Sequence, residues 1–241
     1  RCKVVIAADG VESRVARWAG IKTMIALRDL EVTSQYLLDN VTTDKGYCEF
    51  FVGADVAPGG YAWVFPKTDK TGNVGIGVCG RYTRNRSSTD YLHSFIEGRF
   101  PESTPLAMVV GSVPVAATLD DIVGDAIMVV GDAAHQVNPV SGGGIGTAMI
   151  AGEIAGRVCA EAIRDGDVSR DRLHRYRKEW DQTYGNHQKR VYKVKEAIQK
   201  LKDETYNASA AKLMNKASPT LRDMFMTVLR HQPGIIFDVV K

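Results

Sequence analysis

Hydrophobic and polar positions along this 241-residue chain change their period several times. Residues 3–8 carry Val4, Val5, Ile6 and two alanines in one apolar run bounded by Asp9-Gly10, the pattern of a buried parallel strand. Such a strand takes its hydrogen bonds and covering helices from neighbours, so further strands of the same domain are expected upstream of it. Residues 11–19 have helical spacing and stop at Gly20. The period then falls to two. Residues 32–38, 47–52, 61–65 and 74–78 read as strands separated by turn-rich segments such as Thr68-Asp69-Lys70-Thr71-Gly72-Asn73, which predicts an antiparallel sheet. Residues 88–99 read as a helix closed off before Pro101, and 108–115 as a further strand.

The second half is mostly helical. Residues 126–130 form a short apolar strand, followed by a glycine-rich segment and then a helix over 146–164 rich in Ala148, Ala151, Gly152, Ala155 and Gly156. Small residues at this spacing let a helix pack closely on a sheet. Residues 171–201 form a charged amphipathic helix that Gly185 is expected to bend or interrupt. Shorter helices are predicted over 208–217 and 220–230. There is no internal repeat, low-complexity tract or long linker.

Charge adds one feature. From Ser169 onward the chain holds 16 Lys/Arg against 8 Asp/Glu, while the rest holds 15 against 20. The basic last third reads as solvated helix faces, with an anionic membrane surface as the alternative partner. No apolar run approaches the roughly 20 residues of a membrane span. Four cysteines, Cys2, Cys48, Cys79 and Cys159, lack C-x-x-C spacing, and His174, His187 and His231 show no metal-ligand spacing, so no metal is expected. Cys48, between Tyr47 and Phe50, is expected to be a buried inert thiol. A cytoplasmic setting, with peripheral membrane contact, fits this composition, and nothing points to nucleic acid.

Chemistry concentrates in Gly131-Asp132-Ala133-Ala134-His135, Pro139 and Gly142-Gly143-Gly144-Ile145-Gly146. Glycines ahead of a helix let backbone approach a ligand, and the helix start offers unpaired N–H groups and the positive end of its dipole. Asp132, at a strand end, can accept hydrogen bonds from ligand hydroxyls. The segment resembles the second FAD motif of the p-hydroxybenzoate hydroxylase-like flavoproteins. That resemblance implies that Asp132 contacts the ribityl chain, that Gly142 through Gly146 face the flavin N1–C2=O edge, and that Pro139 shapes the turn. His135 is expected to be structural or a neighbour of the cofactor. Asp9-Gly10-Val11-Glu12-Ser13-Arg14-Val15-Ala16-Arg17 resembles the D-G-x-x-S-x-x-R element of the same superfamily, which implies that Asp9 and Gly10 lie near the cofactor. The G-x-G-x-x-G turn that holds ADP in this superfamily has no counterpart here.

A third constellation narrows the family. In Pro58-Gly59-Gly60-Tyr61-Ala62-Trp63-Val64-Phe65-Pro66 the aromatics alternate, so Tyr61, Trp63 and Phe65 share one strand face. Gly75-Ile76-Gly77 follows eight residues later. Y-x-W-x-F-P, eight residues and G-x-G is similar to the signature of the geranylgeranyl reductase family, whose members include archaeal digeranylgeranylglycerophospholipid reductases. The resemblance implies that Tyr61, Trp63, Phe65 and Pro66 line a prenyl cavity facing the flavin, and that Gly75 and Gly77 permit close approach of backbone or substrate.

The resemblance fixes the expected fold class as α/β (α+β). It comprises an incomplete Rossmann-like FAD-binding domain (1–30 and 117–168), an inserted antiparallel-sheet substrate domain (31–116) and a helical region (169–241). The function it implies is FAD-dependent reduction of isoprenoid C=C bonds in prenylated lipid substrates. No pattern identifies a proton donor or an electron donor. A flavin monooxygenase of aromatic or polyketide-like substrates is the enzymatic alternative, and a non-catalytic fragment without FAD is the other.

Overall fold

The computed structural model of the chain describes residues 1–44 and 46–214. In chain order the elements are β1 (Val5–Ala7), α1 (Arg14–Trp18), β2 (Leu30–Asp39), β3 (Glu49–Phe51), β4 (Tyr61–Pro66), β5 (Gly72–Cys79) and α2 (Ser88–Arg99). Then follow β6 (Thr104–Pro114), β7 (Val123–Gly124), β8 (Ile127–Val129), α3 (Ile145–Asp165), α4 (Arg170–Trp180), α5 (Asn186–Ile198) and α6 (Asp203–Met214). The chain divides into two units, Arg1–Leu30 with Val113–Lys195, and Glu31–Ser112 with the described residues from Glu196 onward.

The first unit is built on a three-stranded sheet of order β1-β8-β7. β1 runs parallel to β8 with Val5 opposite Ile127 and Ala7 opposite Val129, and β7 pairs antiparallel to β8. The expected parallel strand is there, with β8 as its neighbour among the described residues; Ala7 is buried, and Val5 and Ile6 are each 37% exposed. α4 packs on this sheet and α3 packs on α4, with Met128, Val129, Ala151, Ala155, Val158, Leu173, Tyr176 and Trp180 buried in one cluster. Each fully buried aliphatic side chain contributes about 1.5–3 kcal/mol. The alanines of α3 make the close helix packing; Gly152 and Gly156 face open space instead.

The second unit holds a five-stranded sheet of order β3-β4-β5-β2-β6. β4 pairs antiparallel with β5, Tyr61 opposite Gly77 and Trp63 opposite Gly75. β5 pairs with β2, Gly77 opposite Thr33 and Gly75 opposite Gln35. Because side chains alternate across a strand, Ala62, Val64, Val74, Ile76, Val78 and Leu38 share one face and bury themselves with Leu92 and Phe100. Leu92 lies on α2, which starts with a reciprocal cap: Ser87 Oγ accepts from Asp90 N, and the Asp90 carboxylate accepts from Ser87 N.

Three expectations shift and one holds. The first helix shrinks to five residues, because Ser13 takes a left-handed conformation (φ 48°) instead of a helical one. The 171–201 helix is interrupted at Gly185, as expected, by a π-helical segment, Asp181–Gly185, between α4 and α5. Cys48 is exposed, not buried. The helix expected over 208–217 begins earlier, at Asp203; its last residues and the helix expected over 220–230 lie outside the described residues. Among the described residues no helix is long and apolar enough to cross a membrane.

The basic helices pair much of their charge internally. Arg172 bridges Asp165 (2.7 Å), Arg175 bridges Glu161 (2.5 Å) and Glu179 (2.6 Å), Arg177 bridges Asp181 (2.8 Å), and Arg157 of α3 pairs with Glu179. Most are solvent-facing, so water and salt screen them and they add little to stability.

Candidate functional site

In the first unit the site residues gather where β8 runs into α3. Gly131 takes φ +66°, a region that favours glycine, and turns the chain out of the strand. Every carbonyl from Gly131 to Val137 then finds an internal donor. Gln136 N and His135 N donate to Gly131 O and Asp132 O, and Leu119 N to Ala134 O. Ser13 Oγ donates to Ala133 O (2.9 Å) and Thr147 Oγ1 to Gln136 O (2.6 Å). Gln188 Nε2 serves both His135 O (2.6 Å) and Val137 O (2.9 Å). Gln136 is itself wholly buried: its Oε1 accepts from Gly131 N (2.8 Å) and its Nε2 donates to Tyr176 Oη (2.8 Å). The turn is held from all sides.

The Asp132 carboxylate is the exception. Among the described residues no protein donor reaches it, and partial burial pushes its carboxyl above the usual range. A Cβ added at Gly144 would lie 3.0 Å from Asp132 Oδ1, so the glycine run leaves room directly beside the acid. Gly142 (φ +68°) closes a tight loop in which its N–H meets Asn138 O, Asn138 N meets Gly143 O, and buried Pro139 lies between. α3 then starts at Ile145 with Gly144 as its N-cap and no capping side chain. Its first N–H groups therefore lack intrahelical partners, and Ile145 is 83% exposed and Gly146 exposed beside them. An acceptor carboxylate next to an uncapped 21-residue helix fits a ligand with hydroxyl donors on one part and an electron-rich edge on another. A flavin with its ribityl chain meets that description.

The Asp9–Arg17 segment makes local hydrogen bonds and one to the Gly-Asp turn. Asp9 Oδ2 accepts from Val15 N (2.9 Å), Gly10 (φ +75°) turns the chain, and Ser13 reaches the Gly-Asp turn. The arginine expected three residues after Ser13 is replaced by Ala16, fully buried. Arg17, one place later, donates to Glu12 O instead. His135 is buried in a left-handed conformation (φ 57°), and its Nε2 has no partner among the described residues. Burial lowers its pKa to about 4, so the imidazole is neutral near pH 7.

In the second unit, Tyr61, Trp63 and Phe65 share the sheet face opposite the core, all half-buried. Their rings contact in series, with centroids 5.7 Å apart for Tyr61–Trp63 and 6.0 Å for Trp63–Phe65. Pro66 ends β4 opposite Gly72. A Cβ at Gly75 would meet the Trp63 ring at 2.4 Å, so what Gly75 admits is the indole, lying across the strand. Trp63 Nε1 donates to Gln35 Oε1 (3.0 Å), which fixes its orientation. A Cβ at Gly77 meets only ordinary contacts, the nearest at 3.7 Å. Burial first, then the nearby Glu31 charge, pushes the Tyr61 phenol up.

Sequence reasoning missed Phe50, which stands opposite Trp63 on β3, 59% exposed. Its ring meets Tyr61 and Phe65 edge-on, each at 5.6 Å. The alternation of residues 47–52 held that signal. Gln136, Thr147 and Gln188 were also missed, because only tertiary packing brings them to the turn.

Comparison with known proteins places these features. Residues 29–113, which include the whole aromatic stripe and Gly75-Ile76-Gly77, match the geranylgeranyl reductase catalytic domain. The digeranylgeranylglycerophospholipid reductase of Methanocella arvoryzae is 39% identical over 100% of this chain and 62% of its own length. That of Methanosarcina acetivorans is 41% identical over 99% of this chain and 60% of its own length. The chain thus spans about three fifths of the relatives it matches. A geranylgeranyl bacteriochlorophyll reductase-like protein of Thermoplasma acidophilum superposes with a TM-score of 0.89 at 32% identity, over 100% of this chain and 62% of its own. The flavin-dependent brominase Bmp2 shares the fold at a TM-score of 0.65 and 15% identity, over 100% of this chain and 56% of its own. With the signature stripe inside the matched domain and some 40% identity along nearly the full chain, this chain is similar to a stretch of the geranylgeranyl reductases.

Proposed function

We propose that this chain forms part of an FAD-dependent reductase that saturates C=C bonds in the geranylgeranyl chains of membrane-lipid precursors. The observation that carries the reading is the aromatic face of β3 and β4, which lies within the segment matching the catalytic domain. An isoprene unit adds four backbone bonds, about 5 Å when extended at ~1.5 Å per C–C bond. The ring spacings of 5.7 and 6.0 Å along β4 are close to that repeat. Tyr61, Trp63, Phe65 and Phe50 offer apolar contact and ring faces that favour developing positive charge on an alkene carbon. Trp63 cannot swing freely, because Gln35 and Gly75 fix its plane.

When bound, FAD supplies the hydride equivalent that such a reduction needs. Asp132 accepts from the ribityl hydroxyls, and the amides at the start of α3 meet the electron-rich edge of the ring system. Gly142 and Gly144 keep side chains out of that space. Asp9 and Gly10 act on the site through Ser13 and the Gly-Asp turn. Contact with a lipid surface accompanies a prenylated lipid substrate; the internal pairing of the arginines on α4 weakens the case for those helices as the contact.

The test is anaerobic incubation of the whole protein, with FAD chemically reduced, and a digeranylgeranyl lipid. Products heavier by two hydrogens per reduced bond support the reading. Unchanged lipid, with an aromatic substrate hydroxylated once air is admitted, would overturn it in favour of a monooxygenase.

A further inference from the structure

The helices after α3 do more than cover the sheet. Gln188, fully buried on α5, presents its amide to the turn around Gln136. Its Nε2 donates to His135 O and Val137 O, and also approaches Ala116 O (3.1 Å). Its Oε1 accepts from Thr118 Oγ1, which in turn accepts from Trp180 Nε1 (2.9 Å) on α4. The two carbonyls that flank Gln136 therefore depend on one side chain, some fifty residues away in sequence.

The π-helical segment explains how Gln188 reaches that position. At about 100° per residue, an uninterrupted α-helix would place Gln188 some 80° away from the line of Trp180, eight residues earlier. A π turn inserts one extra residue and so removes about 100°, which returns Gln188 to within about 20° of that line. Gly185 makes the bulge possible: a Cβ there would lie 2.5 Å from Asp181 Oδ1 and 2.9 Å from Trp180 Nε1. Trp180 and Gln188 consequently serve one hydrogen-bond network across the interruption.

We propose that Gln188 is a positioning residue of the cofactor turn, brought into register by the π bulge at Gly185. The inference rests on the reading of that turn as the flavin site. Methionine at this position keeps the volume and removes both donors, leaving His135 O and Val137 O without their partner. The turn that carries Asp132 loosens.

The experiment titrates FAD into the full protein for Gln188→Met and, as a control for lost stability, for Leu173→Ala, a core truncation that removes none of the turn's hydrogen bonds. Gln188→Met is expected to weaken FAD binding about tenfold and to alter the visible spectrum of the bound flavin. Leu173→Ala is expected to leave both close to wild type despite a lower melting temperature. Equal weakening in the two variants would overturn the proposal, because stability alone would then account for the loss. Amide hydrogen exchange over residues 131–137 gives an answer that does not depend on flavin. Faster exchange there in Gln188→Met alone sustains the positioning role even if wild type binds no FAD, an outcome that would count against the flavin reading instead. Unchanged exchange overturns the proposal.

Discussion

The two units prepare ligand-facing surface in opposite ways. In the first, the Gly131–Val137 turn has every carbonyl satisfied from within, and the Asp132 carboxylate stands beside an uncapped helix start with no partner among the described residues. In the second, the β3–β4 face is lined by the rings of Phe50, Tyr61, Trp63 and Phe65, with the Trp63 plane held by a glycine and a glutamine. A polar site is over-determined so that one acceptor is left to a ligand. An apolar site needs only shape. The contrast also predicts different sensitivities: the turn should respond to charge and pH, the sheet face to volume.

The largest expected effect concerns His135. In the unfolded chain a histidine binds a proton below pH 6.5, whereas burial holds the folded pKa at about 4. Below 6.5 the unfolded state therefore binds more protons, so stability is constant above that pH and is lost as pH falls toward 4. The loss amounts to about 3 kcal/mol at most. His135→Asn, which tolerates the left-handed backbone, should flatten denaturant-unfolding stability across this window. An unchanged slope would show that the turn is not the source.

Next comes Asp132→Asn. Removing a carboxylate that burial already disfavours should raise the melting temperature of the FAD-free protein, while FAD affinity falls about 10- to 100-fold with the lost charge-assisted bonds. Gains or losses in both quantities together would break the idea of an acceptor reserved for a ligand. On the sheet, the two glycines separate packing from space. Gly75→Ala should cost about 1–3 kcal/mol by driving a methyl into the Trp63 ring. Gly77→Ala, where contacts are ordinary, should cost less than about 1 kcal/mol in chemical denaturation. Equal costs would mean that the indole is not held over Gly75.

Much of this was legible in the sequence because it is local. The strands of the second unit follow period-two alternation, and the Gly-Asp turn is marked by residue types that few other conformations require. What was not legible depends on tertiary register. Gln188 becomes a partner of the turn only because a π bulge rotates it there. The first helix shortens because Ser13 leaves the helical region and reaches Ala133 O. The basic third looked like a charged surface because its acidic partners, Glu161 and Asp165, belong to α3. The role of Gly75 was half legible: close approach was expected, but the group that approaches is Trp63.

Neighbouring residues on β4 allow the most direct test, since Trp63 and Val64 point to opposite faces of one strand. Binding of a geranylgeranyl lipid in detergent, measured by isothermal calorimetry alongside melting temperature, should be weakened at least tenfold by Trp63→Ala with little change in melting. Val64→Ala should lower melting and leave binding near wild type. If lipid binds Trp63→Ala as tightly as wild type, the aromatic face is not the prenyl site.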